Sequence, residues 1–133
     1  MNFRTTIITG SVFMALAVAF GAFGAHIVES MLTPDRFDVY QTAVQYHFYH
    51  ALGLLFIGAI SQHLSDSSWL RWSGILLTVG IIIFSGSLYL LTLTDTGWLG
   101  AITPIGGAAF ILGWISLAVG VFKSSDSAKT DSQ

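Results

Sequence analysis

The sequence predicts an all-α integral membrane protein, a bundle of four transmembrane helices with both termini in the cytoplasm. Only 9% of its 133 residues are charged and 53% are hydrophobic, whereas soluble domains are about 25% charged. The charges leave four uncharged windows, at residues 5–28, 39–65, 72–94 and 96–122. Each window exceeds the run of about 20 residues that a bilayer helix needs. Four such windows in a soluble core would leave almost no surface for water.

Positive charges predict the orientation of the bundle, because Lys and Arg are enriched in cytoplasmic segments. With four spans, both ends of the chain lie on one side of the membrane. Arg4, Arg71, Lys123 and Lys129 share that side, and Arg36 alone lies on the other. We therefore expect both termini to be cytoplasmic. A cleaved signal peptide is the alternative for the first window, but the apolar region of a signal peptide spans only about 7–15 residues.

The first two helices are expected over residues 6–25 and 34–62. Thr33 and Pro34 match an N-cap followed by Pro at the first helical position. The first helix carries a stripe of small or polar side chains at steps of three and four, namely Ser11, Ala15, Ala19, Ala22 and His26. Small residues on one stripe let helix backbones approach closely in lipid.

The third helix is expected over residues 73–93, and the fourth begins at Thr103 and Pro104. Trp69, Trp72 and Trp98 lie where an aromatic belt would anchor the bundle. The fourth helix has a heptad seam of small residues, Gly106, Ala109, Gly113, Ser116 and Gly120, which predicts close, left-handed packing. Further packing glycines are expected at Gly21, Gly24, Gly86 and Gly107. Residues 1–123 thus form one domain, and residues 124–133 a disordered cytoplasmic tail.

Polar side chains within the spans are expected to gather in the outer half of the bundle. The opening of the second span, residues 42–50, places its polar groups on one helical arc, which should face protein because lipid cannot satisfy them. The candidate polar cluster comprises His26, Tyr46, His47, Tyr49, His50, Ser85, Ser87, Tyr89 and Thr103.

Several roles are open to this cluster. Its members can form structural hydrogen bonds that fix helix register. Alternatively, His26, His47 and His50 can hold a metal ion, or two of them can bind a haem. The Tyr and His groups can also form a proton relay, or a pocket for a quinone or a lipid headgroup. No catalytic residue is identified, because the Ser85-Gly86-Ser87 run is not a nucleophile elbow and no acid lies within the spans. The sequence identifies no cofactor.

Five short motifs carry a family resemblance: GAFGAH at 21–26, TAV at 42–44 with YH at 46–47 and YHAL at 49–52, FSGSLYL at 84–90, ITPIGG at 102–107 and GW at 113–114. Together they resemble the YgdD-like family of uncharacterised inner-membrane proteins, domain of unknown function 423. The resemblance implies a four-span membrane protein and brings no known substrate, cofactor or catalytic residue.

We therefore expect a non-enzymatic, multi-pass protein of the plasma membrane that acts by lateral association with lipid or protein partners, including a homo-oligomer. Two alternatives remain open: a metal-handling or redox protein using the His/Tyr cluster, and an oligomeric carrier of protons or small solutes. Nucleic acid is not expected as a partner, because the net charge is −2 and no basic run is present.

Overall fold

The computed structural model describes residues 1–64 and 67–130, with side chains through Ser124. Within these residues the chain forms four long helices, which we label α1 (Phe3–Met31), α2 (Pro34–Ser61), α3 (Ser68–Thr94) and α4 (Thr103–Thr130). A short 3₁₀ helix, Gly97–Ala101, precedes α4. The described chain has four helical stretches long and apolar enough to cross a membrane. The predicted all-α, four-span architecture is confirmed.

Local capping decides where the helices begin. The Asn2 side chain accepts a hydrogen bond from the Thr5 N–H at 2.9 Å, which starts α1. The Ser67 hydroxyl accepts from the Trp69 N–H at 3.3 Å, so α3 begins at Ser68, before the expected residue 73. Pro34 is the first residue of α2, as expected, although the Thr33 hydroxyl makes no capping bond.

The expected end of α1 at residue 25 was wrong. The helix continues through a π-helical segment, Gly24–Val28, and ends at Met31. Leu32 then takes an extended backbone, with φ −111° and ψ 156°. A helix keeps its backbone groups hydrogen-bonded beyond the apolar layer, so leaving that layer does not by itself end it.

The backbone of α4 is helical through Thr130, further than the expected end of the span near residue 122. The Ser124 hydroxyl donates to the Gly120 carbonyl at 3.0 Å, within this continuing helix. The described part of the predicted tail is thus helical, because no Gly or Pro interrupts it. Residues 131–133 lie outside the described residues. A separate tail after residue 123 stays a prediction.

The helices pack as two pairs, and α2 connects the first pair to the second. Helix α1 packs along α2, α3 packs along α4, and α2 also contacts α3. We call the half of the bundle away from the chain ends the far half; it contains the α1–α2 and α3–α4 connections. There Val28, Tyr40, Ala43, Leu88 and Tyr89 form a buried cluster. A larger apolar core, including Leu54, Leu77, Phe110 and Leu117, fills the rest.

A ladder of glycines joins α4 to α3. A Cβ on Gly106 would collide with the Phe84 backbone, one on Gly113 would lie 2.7 Å from Leu77 Cδ2, and one on Gly120 would lie 3.0 Å from Leu70 Cδ2. The spacing is seven residues on both antiparallel helices. The heptad seam therefore allows α3 and α4 to approach closely.

An ion pair connects the start of α2 to the end of α3 in the far half. The guanidinium of Arg36, near the start of α2, forms an ion pair with Asp95, which follows α3. Asp95 has a left-handed backbone, with φ 58°, and ends the helix. This pair ties the α3–α4 connection to α2.

Candidate functional site

The structure divides the predicted polar cluster. His47, His50, Ser85, Ser87 and Tyr89 are buried, Thr103 is half-buried, and His26, Tyr46 and Tyr49 are exposed. The expectation that the whole polar arc of residues 42–50 faces protein was therefore wrong within one copy of the chain. His47 and His50 lie at one edge of this broad arc, on the packed side of α2, and the rest of the arc turns outward.

His47 and Tyr89 form the centre of the buried group. The His47 Nδ1 and the Tyr89 hydroxyl lie 3.2 Å apart, so one donates a hydrogen bond to the other. Phe13 packs edge-on against the His47 ring, with centroids 5.6 Å apart, and Phe20 stacks on Tyr89 at 4.6 Å. Three helices, α1, α2 and α3, thus meet at this pair.

His50 belongs to a different environment, between α2 and α4. Its Nδ1 donates to the Tyr46 carbonyl at 2.6 Å, and its ring stacks on Phe110 with centroids 3.4 Å apart. Tyr46 in turn stacks on Phe84 at 4.5 Å. This histidine is held by its own helix and by an aromatic stack, and it helps to join α2 to α4.

Ser87 and Thr103 link α3 to α4. Their hydroxyl oxygens lie 2.8 Å apart, and the Ser87 hydroxyl also donates to the Phe84 carbonyl at 3.0 Å. Both groups are therefore satisfied within the protein. The sequence placed them in one region, and the structure brings them into contact.

A cavity of about 550 Å³ lies beside His47 between α1 and α3, and we call it the lateral cleft. Its lining is mainly apolar and includes Phe13, Phe20 and Ile81. At its rim, Leu16, Ile82 and Leu90 are exposed on the surface that lipid would cover. A molecule dissolved in the bilayer could therefore enter from the side.

Two of the residues that line the lateral cleft carry buried polar atoms without a partner. His47 is 3% exposed and Ser85 is 0% exposed. Within the described residues, neither the His47 Nε2 nor the Ser85 Oγ has a hydrogen-bond partner. Buried polar groups in proteins are nearly always paired, so each exception requires a cause.

A wide turn of α3 forms the wall that carries Ser85. Residues Ile81–Ser85 are π-helical, and such bulges are frequent at functional sites. Elsewhere in α3 the hydroxyls of Thr78 and Thr92 donate to the carbonyl four residues earlier, at 2.8 and 2.9 Å. Ser85 makes no such bond, and its hydroxyl has no partner within residues 1–64 and 67–124.

The glycine after this wall does not pack against another helix. A Cβ on Gly86 would meet no atom within 4 Å, and Gly86 lines the lateral cleft. A Cβ on Gly107 or Gly21 would make only ordinary contacts, 3.8 Å from Phe84 and 3.5 Å from Val44, respectively. Gly24 differs from them, because a Cβ there would lie 2.6 Å from the Tyr40 ring. The expectation that Gly86 is a packing position was wrong.

The three histidines proposed as metal ligands do not come together. His26 is exposed beyond Gly24, which lies against Tyr40, whereas His47 is two turns deeper along α2. Among the residues that the structure describes, no three His, Cys, Asp or Glu side chains are grouped closely enough to hold a metal ion. His47 and His50 share a helix but face different neighbours.

The side chains that α1 contributes to the lateral cleft were not among the site residues predicted from the sequence. Phe13, Leu16 and Phe20 all line the lateral cleft. Their spacing of three and four residues places them on one face of a helix, which is the signal that would have identified them. The stripe from Ser11 to His26 on the same helix is exposed instead.

Comparisons with known proteins agree with this architecture. The profile of a family described as a protein of unknown function (DUF423) matches residues 20–107. The UPF0382 membrane protein YwdK of Bacillus subtilis is 46% identical over 120 residues, which cover 90% of this chain and 98% of the relative. UPF0382 membrane protein SSP2132 of Staphylococcus saprophyticus is 50% identical over 90% of this chain and 98% of its own length. No solved structure matches the chain.

Proposed function

This chain belongs to the DUF423 family of membrane proteins, and we propose that it is a non-enzymatic plasma-membrane protein that binds a lipid-soluble molecule in the lateral cleft. One observation carries the proposal: the His47 Nε2 and the Ser85 Oγ are both buried without a partner in the described part of the chain, and both residues line the same cavity. Because both atoms have almost no accessible surface, the wall of the cleft shifts slightly on binding, and a ligand oxygen then supplies the missing hydrogen-bond partner.

The two unpaired atoms at the cleft cost free energy. Each buried polar group without a partner costs about 1–3 kcal/mol. In a neutral imidazole one nitrogen donates and the other accepts. When the Tyr89 hydroxyl donates to Nδ1, the His47 Nε2 carries the proton and offers a donor. The Ser85 hydroxyl can donate or accept. A ligand oxygen would satisfy these groups and recover that cost.

The shape of the cleft limits the class of ligand. Its volume of about 550 Å³ lies within the range of small-molecule sites. The mainly apolar lining and the lipid-facing rim fit a hydrocarbon chain, while one end of the ligand needs a carbonyl or hydroxyl oxygen. An acyl lipid with its ester carbonyls and an isoprenoid quinone with its ring carbonyls share this chemistry.

The lining also supports binding over catalysis. The residues that line the cleft include one histidine and two serines, and no Asp or Glu among them. A serine nucleophile needs a base that is itself oriented by a third group, whereas His47 bonds to a tyrosine. The pair is suited to hold an oxygen atom in place.

Filling the cleft tests the proposal. Gly86→Leu adds a side chain whose Cβ would meet no atom within 4 Å and that lies in the lining of the cleft, so we expect the fold to persist and the ligand to be excluded. Gly97→Leu is the matched control, because a Cβ there also meets no atom within 4 Å but the residue does not line the cleft. Delipidated protein would be incubated separately with dioleoylphosphatidylglycerol and with menaquinone-4, and native mass spectrometry would count the bound molecules.

We expect one molecule of one probe per chain in the unaltered protein and in Gly97→Leu, and almost none in Gly86→Leu. The probe that binds identifies the source of the oxygen group. Equal binding to both variants would show that the lipid sits elsewhere, and no retention of either probe by the unaltered chain would also overturn the proposal.

A further inference from the structure

The exposed side of α2 carries polar groups without a partner in the part of the chain that the structure describes. Gln45 is exposed, and Tyr49, one turn later, is 57% exposed. Among the described residues, neither the Gln45 amide nor the Tyr49 hydroxyl forms a side-chain hydrogen bond. By contrast, the Thr42 hydroxyl on the same helix donates to the Asp38 carbonyl at 3.0 Å.

Both groups lie deep in the membrane. Helix α2 has 28 residues, which at a rise of 1.5 Å gives a length of about 42 Å, roughly 12 Å more than the hydrocarbon core. With that excess shared between its ends, the first turn lies in the interface. Gln45 is then about 10 Å inside the hydrocarbon and Tyr49 about 6 Å deeper. Hydrocarbon cannot satisfy an amide or a phenol there.

We propose that α2 pairs with α2 of a second copy of this chain through the α2 stripe, defined as Gln41, Gln45, Phe48, Tyr49 and Leu52. All five residues are exposed. The side-chain amide has two donors and one acceptor oxygen, so two Gln45 side chains can bond each other reciprocally. Pairing by hydrogen bonds across helices is the general means by which polar side chains associate spans in lipid.

The symmetry of a membrane supports a second copy as the partner. Two copies inserted in the same orientation are related by a two-fold axis along the membrane normal, so each residue meets its own counterpart at the same depth. Gln41, Gln45, Phe48 and Leu52 recur at steps of four, three and four, the spacing of a left-handed helix pair. A phospholipid headgroup stays at the interface and does not reach the depth of Gln45.

Crosslinking tests the surface directly, because the chain has no cysteine. Leu52→Cys places one thiol on the α2 stripe, and Leu112→Cys places one on the exposed side of α4. The two leucines are matched, with exposures of 52% and 53%. In native membranes treated with a lipid-soluble oxidant, we expect Leu52→Cys to form a disulfide-linked dimer and Leu112→Cys to remain monomeric.

A second pair of variants tests the amide. In vesicles of phosphatidylethanolamine and phosphatidylglycerol, we expect Gln45→Leu to lower the dimer association constant about sevenfold, the loss of two average hydrogen bonds across a membrane interface. Gln62→Leu, at the exposed residue that follows the same helix, should leave the association constant unchanged. Equal crosslinking from positions 52 and 112, capture of a different protein at position 52, or an unchanged association constant in Gln45→Leu would each overturn the proposal.

Discussion

Ser85 and Ser87 lie two positions apart on α3 and are both buried, but their hydroxyls differ in hydrogen bonding. The Ser87 hydroxyl bonds to Phe84 and to Thr103. The Ser85 hydroxyl has no partner among the described residues. Under the proposed function, this difference distinguishes a serine that joins two helices from one that binds a ligand.

Replacing each serine with alanine should therefore change stability in opposite directions. Without added lipid, we expect Ser85→Ala to be as stable as the unaltered chain or more stable by about 1 kcal/mol, because an unsatisfied buried group is removed. We expect Ser87→Ala to lose about 1 kcal/mol, because Thr103 loses its partner. Thermal unfolding in detergent, followed by tryptophan fluorescence, measures both. Equal destabilisation would mean that Ser85 has a partner within the fold.

The histidines show which part of the site the sequence could predict. Orientation and span placement put His47 and Tyr89 in the same half of the bundle, and the structure brings them to 3.2 Å. Sequence could not separate His47 from His50, because three residues along a helix turn a side chain by about 300° and the neighbour on each side is unknown. The lateral cleft lies between α1 and α3 beside a π-helical turn, and no local sequence pattern predicted that turn.

At the scale of helices, the seam between α3 and α4 depends on the absence of side chains. Gly106 faces the Phe84 backbone directly, whereas its neighbour Gly107 leaves 3.8 Å to the Phe84 ring. We expect Gly106→Ala to destabilise the bundle by about 1–3 kcal/mol, since a buried interface must open. Gly107→Ala should be neutral or slightly stabilising, because alanine is the better helix former.

Thermal unfolding of the two alanine variants in the same detergent compares them, and crosslinking of α3 to α4 reports whether the seam still closes. If Gly106→Ala were as stable as Gly107→Ala, the ladder of three glycines would not control this packing.

The sequence predicts where the chain crosses the membrane, but it does not predict which helices pack against each other. Exclusion of charge from hydrocarbon marks each crossing, and the four crossings follow from that alone. Helical periodicity defines a face without saying what covers it. The stripe from Ser11 to His26 on α1 therefore suggested close packing but is exposed, while the heptad seam of α4 is buried. Gln45 and Tyr49 were expected to face protein and instead face outward.

For the whole molecule, the tie between Arg36 and Asp95 lies at the end opposite the termini. Arg36 is the one Lys or Arg predicted at that end, and the ion pair neutralises its charge. Arg4 and Arg71 lie at the other end. Positive charges are retained in the cytoplasm. The orientation with cytoplasmic termini stays a prediction that follows from this asymmetry.

Single cysteines can test that orientation, since the chain has none of its own. Thr33 and His63 are exposed at opposite ends of α2, and the Thr33 hydroxyl makes no capping bond, so both replacements should be tolerated. On intact cells, we expect a membrane-impermeant maleimide to label Thr33→Cys and to reach His63→Cys only after permeabilisation. The reverse pattern would place the Arg36–Asp95 end in the cytoplasm, and the few positive charges of this chain would then not control its insertion.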